Sequence, residues 1–227
     1  MNLELENVVI TGRTFDEYSA FFDLKVEDIK EKKILDCPSG ASSFVSVANK
    51  KGSAVTGVDL IYEFDINSIE TQGYKTIEKI YQDTSWMDVY KMDFYKSKEN
   101  HRSCRENALK DFVNDYNKED YLFAKLPNLA FEDEHFDLAL SSHLLFVYDN
   151  MLGYDFHKDS ILEMLRVSKE VRIFPLVDFK NSRVLEEENF SPFLYKILEE
   201  LKDFKCEIIK TDFEFQVKAN YYLKVSK

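Results

Sequence analysis

Two short apolar runs, each closing on a carboxylate and separated by a loop of small residues, constrain this chain more than anything else in it. Ile34-Leu35-Asp36 leads into Cys37-Pro38-Ser39-Gly40-Ala41-Ser42-Ser43, a helical pattern follows from Phe44, and Val55-Thr56-Gly57-Val58-Asp59 ends the unit. Such an order predicts a βαβ unit with two parallel strands and a crossover helix. Small residues between a strand and a helix let a ligand come close to the backbone, and Gly40 is the tightest point. A carboxylate about 20 residues beyond such a loop can accept from the two hydroxyls of a ribose. Asp59 stands nineteen residues after Gly40. The unit therefore points to a nucleoside-containing ligand, although a strand-end cap at Asp59 and a helix-start turn at Gly40 would use the same residues.

The rest of the chain repeats the alternation. Thr14-Phe15-Asp16-Glu17-Tyr18 reads as a helix start, with Thr14 as N-cap and Glu17 completing a capping box. Phe15, Tyr18, Phe21, Phe22 and Leu24 recur at helical spacing and predict a lid or shoulder packed beside the sheet opening, with core packing as their default role. From about 65 to 116 the alternation breaks into amphipathic helices, such as Ile66 to Tyr81 and Cys104 to Tyr116, which read as an insertion roofing a pocket. Strands resume at Tyr121 to Ala124, Phe136 to Leu140 and Val171 to Phe174, with a helix over Ile161 to Val167. A helix over Pro192 to Asp203 and strands over Cys206 to Lys210 and Tyr221 to Val225 close the chain. Their short polar link predicts a terminal hairpin, which makes the last strand antiparallel in a mostly parallel sheet covered on both faces.

Composition narrows the partners. A net charge of -12 repels a phosphate backbone or an anionic membrane at long range. The basic stretches Lys91 to Arg105 and Lys196 to Lys210 interleave acids and read as solvated helix faces. Cys37, Cys104 and Cys206 lie in neither CxxC nor CxxH spacing, which argues against a disulfide framework or a zinc site and fits a reducing cytoplasm. The start Met1-Asn2-Leu3-Glu4-Leu5-Glu6 lacks a signal-peptide pattern, and no run approaches the roughly 18 apolar residues of a membrane span. The expectation is a cytoplasmic, soluble single domain over 1–227, with a small molecule as partner, no nucleic acid or membrane, and an oligomeric state that the sequence leaves open.

Asp36-Cys37-Pro38-Ser39-Gly40, Asp59, the Leu126-Pro127 to Phe136-Asp137 lead-in to the fourth strand and the antiparallel finish together resemble a class I S-adenosylmethionine-dependent methyltransferase, over nearly the whole chain. Phe15 to Tyr18, Ser141 to Phe146 and Ser160 to Val167 resemble an uncharacterised bacterial group described only as methyltransferase-like. The resemblance implies a Rossmann-like, doubly wound α/β fold with a seven-stranded sheet. It further implies S-adenosylmethionine as cofactor, with Gly40 under its methionine portion, Asp36 facing its amino group and Asp59 on its ribose. Pro38, Leu60 and Ser141 complete the expected cofactor contacts, and Ile61 or Tyr62 would face the adenine. Two positions depart from the family pattern. The glycine-rich loop is reduced to Gly40, and the position after the third strand, often acidic, holds Lys125, which cannot accept from the adenine amine; a backbone carbonyl or Asn128 would replace it.

Methyl transfer needs in-line positioning and, for a weakly acidic nucleophile, a base. His143, directly after the fourth strand, is the catalytic candidate, because ligands of open α/β sheets sit beyond the carboxyl ends of the strands. Tyr18 and Tyr148 are candidates for the acceptor pocket. Glu163 and Arg166 read as a helix-surface ion pair and His157 as structural. No metal site is expected, since no histidine pair has helix ligand spacing. Gly-x-Ser-x-Gly and Walker loops are absent, which removes the common hydrolases and NTPases. A non-catalytic protein that keeps the fold and binds the cofactor is the second expectation, and a nicotinamide oxidoreductase, lacking two of three fingerprint glycines, is the third.

Overall fold

The chain's structure, a computed structural model, describes residues 9–82, 90–177, 190–214, 216 and 219–227. The N-terminal hexapeptide read above and residues 83–89 of the 65–116 segment lie outside them. Seven strands form one sheet: β1 (Lys33–Asp36), β2 (Ala54–Asp59), β3 (Tyr121–Phe123), β4 (Leu138–Ser142), β5 (Glu170–Phe174), β6 (Lys205–Lys210) and β7 (Tyr221–Ser226). Their spatial order is β3-β2-β1-β4-β5-β7-β6. All pairs among β1 to β5 are parallel, whereas β7 runs antiparallel between β5 and β6. The last strand is therefore antiparallel, as the terminal hairpin predicts, and the sheet is Rossmann-like and doubly wound.

Strand parity decides which side chain serves which face, because successive residues point to opposite sides. Ile34, Val55, Leu138 and Leu140 join one apolar cluster with α1 (Phe15–Phe22), α3 (Phe44–Lys50), α4 (Ile66–Gln82) and α5 (Lys98–Asp115). Leu35, Val58, Ala139 and Val171 join the other, with α6 (Asp149–Val167) and α7 (Pro192–Glu200). A short helix, α2 (Val26–Ile29), connects α1 to β1. Both faces of the central strands are thus sealed, which is the condition a parallel sheet requires.

Local rules place the ends of the elements. Thr14 caps α1 and forms the expected capping box with Glu17. Ser97 caps α5 and starts it at Lys98, six residues ahead of the predicted Cys104. In α6, Gly153 at φ 70° breaks the helix, and His157 bonds the Gly153 carbonyl through Nδ1 (2.6 Å) while its Nε2 lies 3.0 Å from Asp149 Oδ1. Arg166 reaches Glu163 with two bonds and also the Phe131 and Leu129 carbonyls, so this pair pins the loop before β4 as well as decorating a helix. Among the described residues no helix is long and apolar enough to cross a membrane.

One reading of the sequence is corrected. Arg105 does not belong to a solvated basic face: it is 1% exposed and paired with the wholly buried Glu17. The α1 aromatics take their default role and pack in the core. Phe21 stacks on Phe174 with ring centroids 4.7 Å apart and Tyr18 on Phe44 at 4.5 Å, and burying each such ring contributes about 1.5–3 kcal/mol.

Candidate active site

The small-residue loop is stitched across the strand tips by its own backbone. Cys37 N–H donates to the Leu140 carbonyl at 2.9 Å and Ser39 N–H to Val58 at 3.0 Å, so the loop extends the ladders toward β4 and β2 at once. Gly40 then turns at φ +57°, a left-handed conformation that favours glycine. Its N–H donates to Asp59 Oδ2 at 2.8 Å, and the Tyr62 hydroxyl donates to its carbonyl at 2.6 Å. Where a Cβ on Gly40 would project, the nearest atom is Asp59 Oδ2 at 3.9 Å, which leaves the loop's ligand side open. Gly57 sits beneath: a Cβ there would lie 2.9 Å from Ser39 Oγ.

Asp59 ends β2 and caps the 3-10 turn Leu60–Glu63, its Oδ1 accepting from Ile61 N–H at 3.0 Å. Burial raises its pKa, while the amides of Ile61, Gly40 and Leu60 favour the ionised form. Each carboxylate oxygen keeps a further lone pair for a donor from a ligand.

A cavity of about 330 Å³ opens over this corner. Its size lies at the lower end of the roughly 300–1,000 Å³ of small-molecule sites. Pro38, Gly40, Asp59, Ser142, His143, Tyr18 and Tyr148 line it. Three expected contacts fall elsewhere. Ser141 is fully buried and outside the lining, because its parity is that of Ala139 and carries it to the opposite face; Ser142 takes its place. Leu60 is exposed on the 3-10 turn while Ile61 faces the cavity, and Tyr62 holds the loop rather than a ligand. Asp36 lies behind the wall, with both its oxygens accepting from the Tyr18 hydroxyl at 3.0 and 3.2 Å. Burial lifts the Asp36 pKa to about 7, against hydrogen bonds from Ser39 and Tyr18 and with the nearby Asp59 carboxylate adding to the rise. Lys125 is exposed beyond β3 and outside the cavity lining.

His143 occupies the left-handed region at φ +59°, a conformation worth about 1 kcal/mol or more of strain for a non-glycine residue. Its N–H donates to the Phe174 carbonyl at 2.8 Å, and its Nδ1 bonds Ser142 Oγ at 2.6 Å. Burial, then the charges of Arg13 and Arg105, push its pKa well below the usual imidazole value. The ring is therefore neutral at pH 7 and a weaker base than an unperturbed histidine.

An N-terminal strap, residues 9–13, supplies what the sequence did not reveal. Val9, Ile10, Thr11 and Arg13 all line the cavity. Gly12 packs so closely on the loop that a Cβ would lie 1.9 Å from the Ala41 carbonyl oxygen. Ser43 N–H donates to the Arg13 carbonyl at 3.0 Å, and Arg105 Nη1 donates to the Gly12 carbonyl at 2.8 Å. Arg105 is held by Glu17, which also accepts from Tyr95 (2.5 Å) and from Thr14 N–H (2.7 Å). Burial alone would raise the Glu17 pKa, but the charges of Arg105 and Arg13, the Arg105 hydrogen bond and the Thr14 amide lower it to about 2. From the 65–116 segment, Ile80, Tyr90, His101 and Arg105 close the cavity. Among the described residues, no group of three or more His, Cys, Asp or Glu is placed to hold a metal ion.

The parallel sheet with its antiparallel β7, and a carboxylate at the tip of β2 beside a glycine turn, define the class: an α/β protein with a Rossmann-like, doubly wound seven-stranded sheet. The chain belongs to the same family as the uncharacterized protein MJ0045 of Methanocaldococcus jannaschii, to which it is 36% identical over 231 residues covering 99% of both chains. That relative is archaeal, and the bacterial attribution attached to the sequence resemblance has no counterpart in it. No family model matches the chain. Among solved structures, it is similar to an S-adenosylmethionine-dependent methyltransferase from Methanosarcina mazei (16% identity, 87% of this chain and 93% of that one, TM-score 0.46). Another similar structure is an S-adenosylmethionine-dependent methyltransferase from Aquifex aeolicus (12% identity, 99% and 97% coverage, TM-score 0.41).

Proposed function

We propose that the chain transfers a methyl group from S-adenosylmethionine to a small-molecule acceptor. The observation that carries this reading is the corner of Gly40 and Asp59: an open turn in the left-handed region joined by a 2.8 Å bond to a carboxylate with lone pairs to spare. Asp59 would take the ribose hydroxyls, Ile61 would lie against the adenine, and the Pro38-Ser39-Gly40 backbone would run under the methionine portion. When bound, the cofactor supplies an electrophilic methyl on a sulfonium. Tyr18, backed by the Asp36 carboxylate, would present its hydroxyl oxygen toward the ammonium end, so Asp36 acts through Tyr18 instead of by direct contact. Ser142, His143 and Tyr148 would bound the acceptor.

Titration calorimetry with S-adenosylmethionine and S-adenosylhomocysteine tests the cofactor assignment, with saturable heat expected for both and its absence at millimolar ligand removing it. A second reading, a binding protein that keeps the fold without turnover, draws support from the suppressed basicity of His143. It gains if the cofactor binds yet a metabolite screen yields no methylated product from the wild-type chain.

A further inference from the structure

We propose that S-adenosylmethionine enters this site in exchange for a proton, which the buried pair of Tyr18 and Asp36 holds until the ammonium group of the cofactor takes its place. The proposal rests on the methyl-transfer reading above and goes beyond it by making cofactor uptake a proton-release step. Among the described residues the buried carboxylates are Glu17, Asp36 and Asp149. Glu17 is paired with Arg105, and Asp149 Oδ1 has His157 Nε2 at 3.0 Å. Asp36, at the end of β1, has a hydroxyl in that place: Tyr18 donates to both its oxygens, at 3.0 and 3.2 Å. A hydroxyl satisfies the lone pairs of a carboxylate but brings no positive charge, so a buried carboxylate held in this way keeps a proton more readily than an ion-paired one.

The groups around the pair leave this balance in place. Asp59, at the tip of β2, is negative and disfavours a second charge beside it, whereas Cys37 in the loop, Tyr62 on the 3-10 turn and Tyr121 on β3 are uncharged at neutral pH. The charge of Arg13 on the strap bears on the Tyr18 hydroxyl less than burial and Asp36 do. Burial first, with Asp59 adding to it, brings the Asp36 pKa to about 7, so near neutral pH the carboxyl is divided between its two forms.

Those forms set the Tyr18 hydroxyl differently. Beside an ionised Asp36 its hydrogen is committed to the carboxylate, and its oxygen offers lone pairs only to the cavity that Tyr18 lines. A protonated Asp36 can itself donate to the Tyr18 oxygen, which turns the phenol hydrogen toward the ligand and sets donor against donor. An ammonium group, all donors and positively charged, therefore fits the ionised form alone. In the exchange the carboxyl O–H bond breaks, its electron pair stays on oxygen, the proton passes to solvent and the ammonium supplies the counter-charge. An adenosine derivative without an amine has no such exchange to make.

The test is calorimetry on the full chain with S-adenosylhomocysteine at pH 6 and pH 8, each in two buffers of different ionisation enthalpy, so that released protons are counted. Only the ionised fraction is competent, so binding should be about tenfold tighter at pH 8 than at pH 6, with close to one proton released at pH 6 and few at pH 8. Asp36→Asn should release none and bind equally at both pH values. The analogue of this ligand in which hydrogen replaces the amino group should release none from the wild-type chain. Wild-type binding that is the same at both pH values without proton release overturns the proposal, as does release that survives in Asp36→Asn or is matched by the amine-free analogue. Should Asp36→Asn fail to fold by circular dichroism, the analogue decides; should the analogue not bind, Asp36→Asn decides. Absence of S-adenosylhomocysteine binding at both pH values would instead strike the methyl-transfer reading.

Discussion

Exchanging Asp59 for Asn removes the charge at the tip of β2 with almost no change in volume. In the wild-type chain, Oδ2 accepts from Gly40 at 2.8 Å and Oδ1 from Ile61 at 3.0 Å, so both oxygens are fixed before any ligand arrives. Each can accept one more bond from a ribose hydroxyl, and a hydrogen bond to a charged acceptor contributes about 1.5–3 kcal/mol. Asn keeps one oxygen, which can serve one of the two amides. Its NH₂ group then meets the other N–H donor to donor and cannot accept from the second hydroxyl. One charge-assisted bond is lost and the other becomes neutral, together about 2–4 kcal/mol, which is roughly 30- to 1,000-fold in affinity. Calorimetric titration with S-adenosylhomocysteine measures this, with Glu63→Gln, an exposed carboxylate four residues on, as the control expected to bind like wild type. A folded Asp59→Asn chain that binds within about threefold of wild type would refute the reasoning.

Three further predictions follow from the buried groups. Glu17→Gln leaves Arg105 buried without its counter-charge and should cost about 3–5 kcal/mol of unfolding free energy at pH 7 in urea melts. Because the Glu17 pKa falls from 4.5 to about 2 on folding, its contribution is fully present above pH 4.5 and is lost as pH drops toward 2; the variant's acid limb should be shallower there, and an identical limb would contradict the ion pair's role. Gly12→Ala puts a methyl 1.9 Å from the Ala41 carbonyl oxygen, so the strap must shift, at about 1–3 kcal/mol or more; unchanged denaturation would show the strap to be loosely held. The imidazole of His143 should titrate by NMR well below the ordinary imidazole range, and a midpoint near 6.5 would mean that its ring is not buried beside Arg13.

Local chemistry was the legible part of this chain. The capping box of Thr14 and Glu17, the glycine turn, the carboxylate at the end of β2 and the terminal hairpin all follow from residues within a few positions of one another, and each is where the sequence puts it. What escaped depends on distance or on a one-residue choice. Glu17 reads as a cap, yet it is also the counter-ion of Arg105, 88 residues away. The buried stripe of α5 contains His101 and Arg105 among Ala108, Leu109 and Phe112, so its inward face does not stand out by hydrophobicity. Ser142 lines the cavity in place of Ser141, because a shift of one residue changes the face that a side chain meets, and of the expected Leu60 and Ile61 only Ile61 lines it. The strap over the loop carries no motif at all; the close contact at Gly12 and the bonds from Ser43 and Arg105 to its carbonyls reveal it.

The most direct measurement is a crystal structure of the chain grown with S-adenosylhomocysteine. The account predicts the ribose hydroxyls on the Asp59 carboxylate, the amino acid portion along Pro38-Ser39-Gly40, and the sulfur directed toward the space bounded by His143, Tyr148 and Arg13. Density for the ligand at any other place, or a Gly40 turn closed over by protein in the complex, would contradict it.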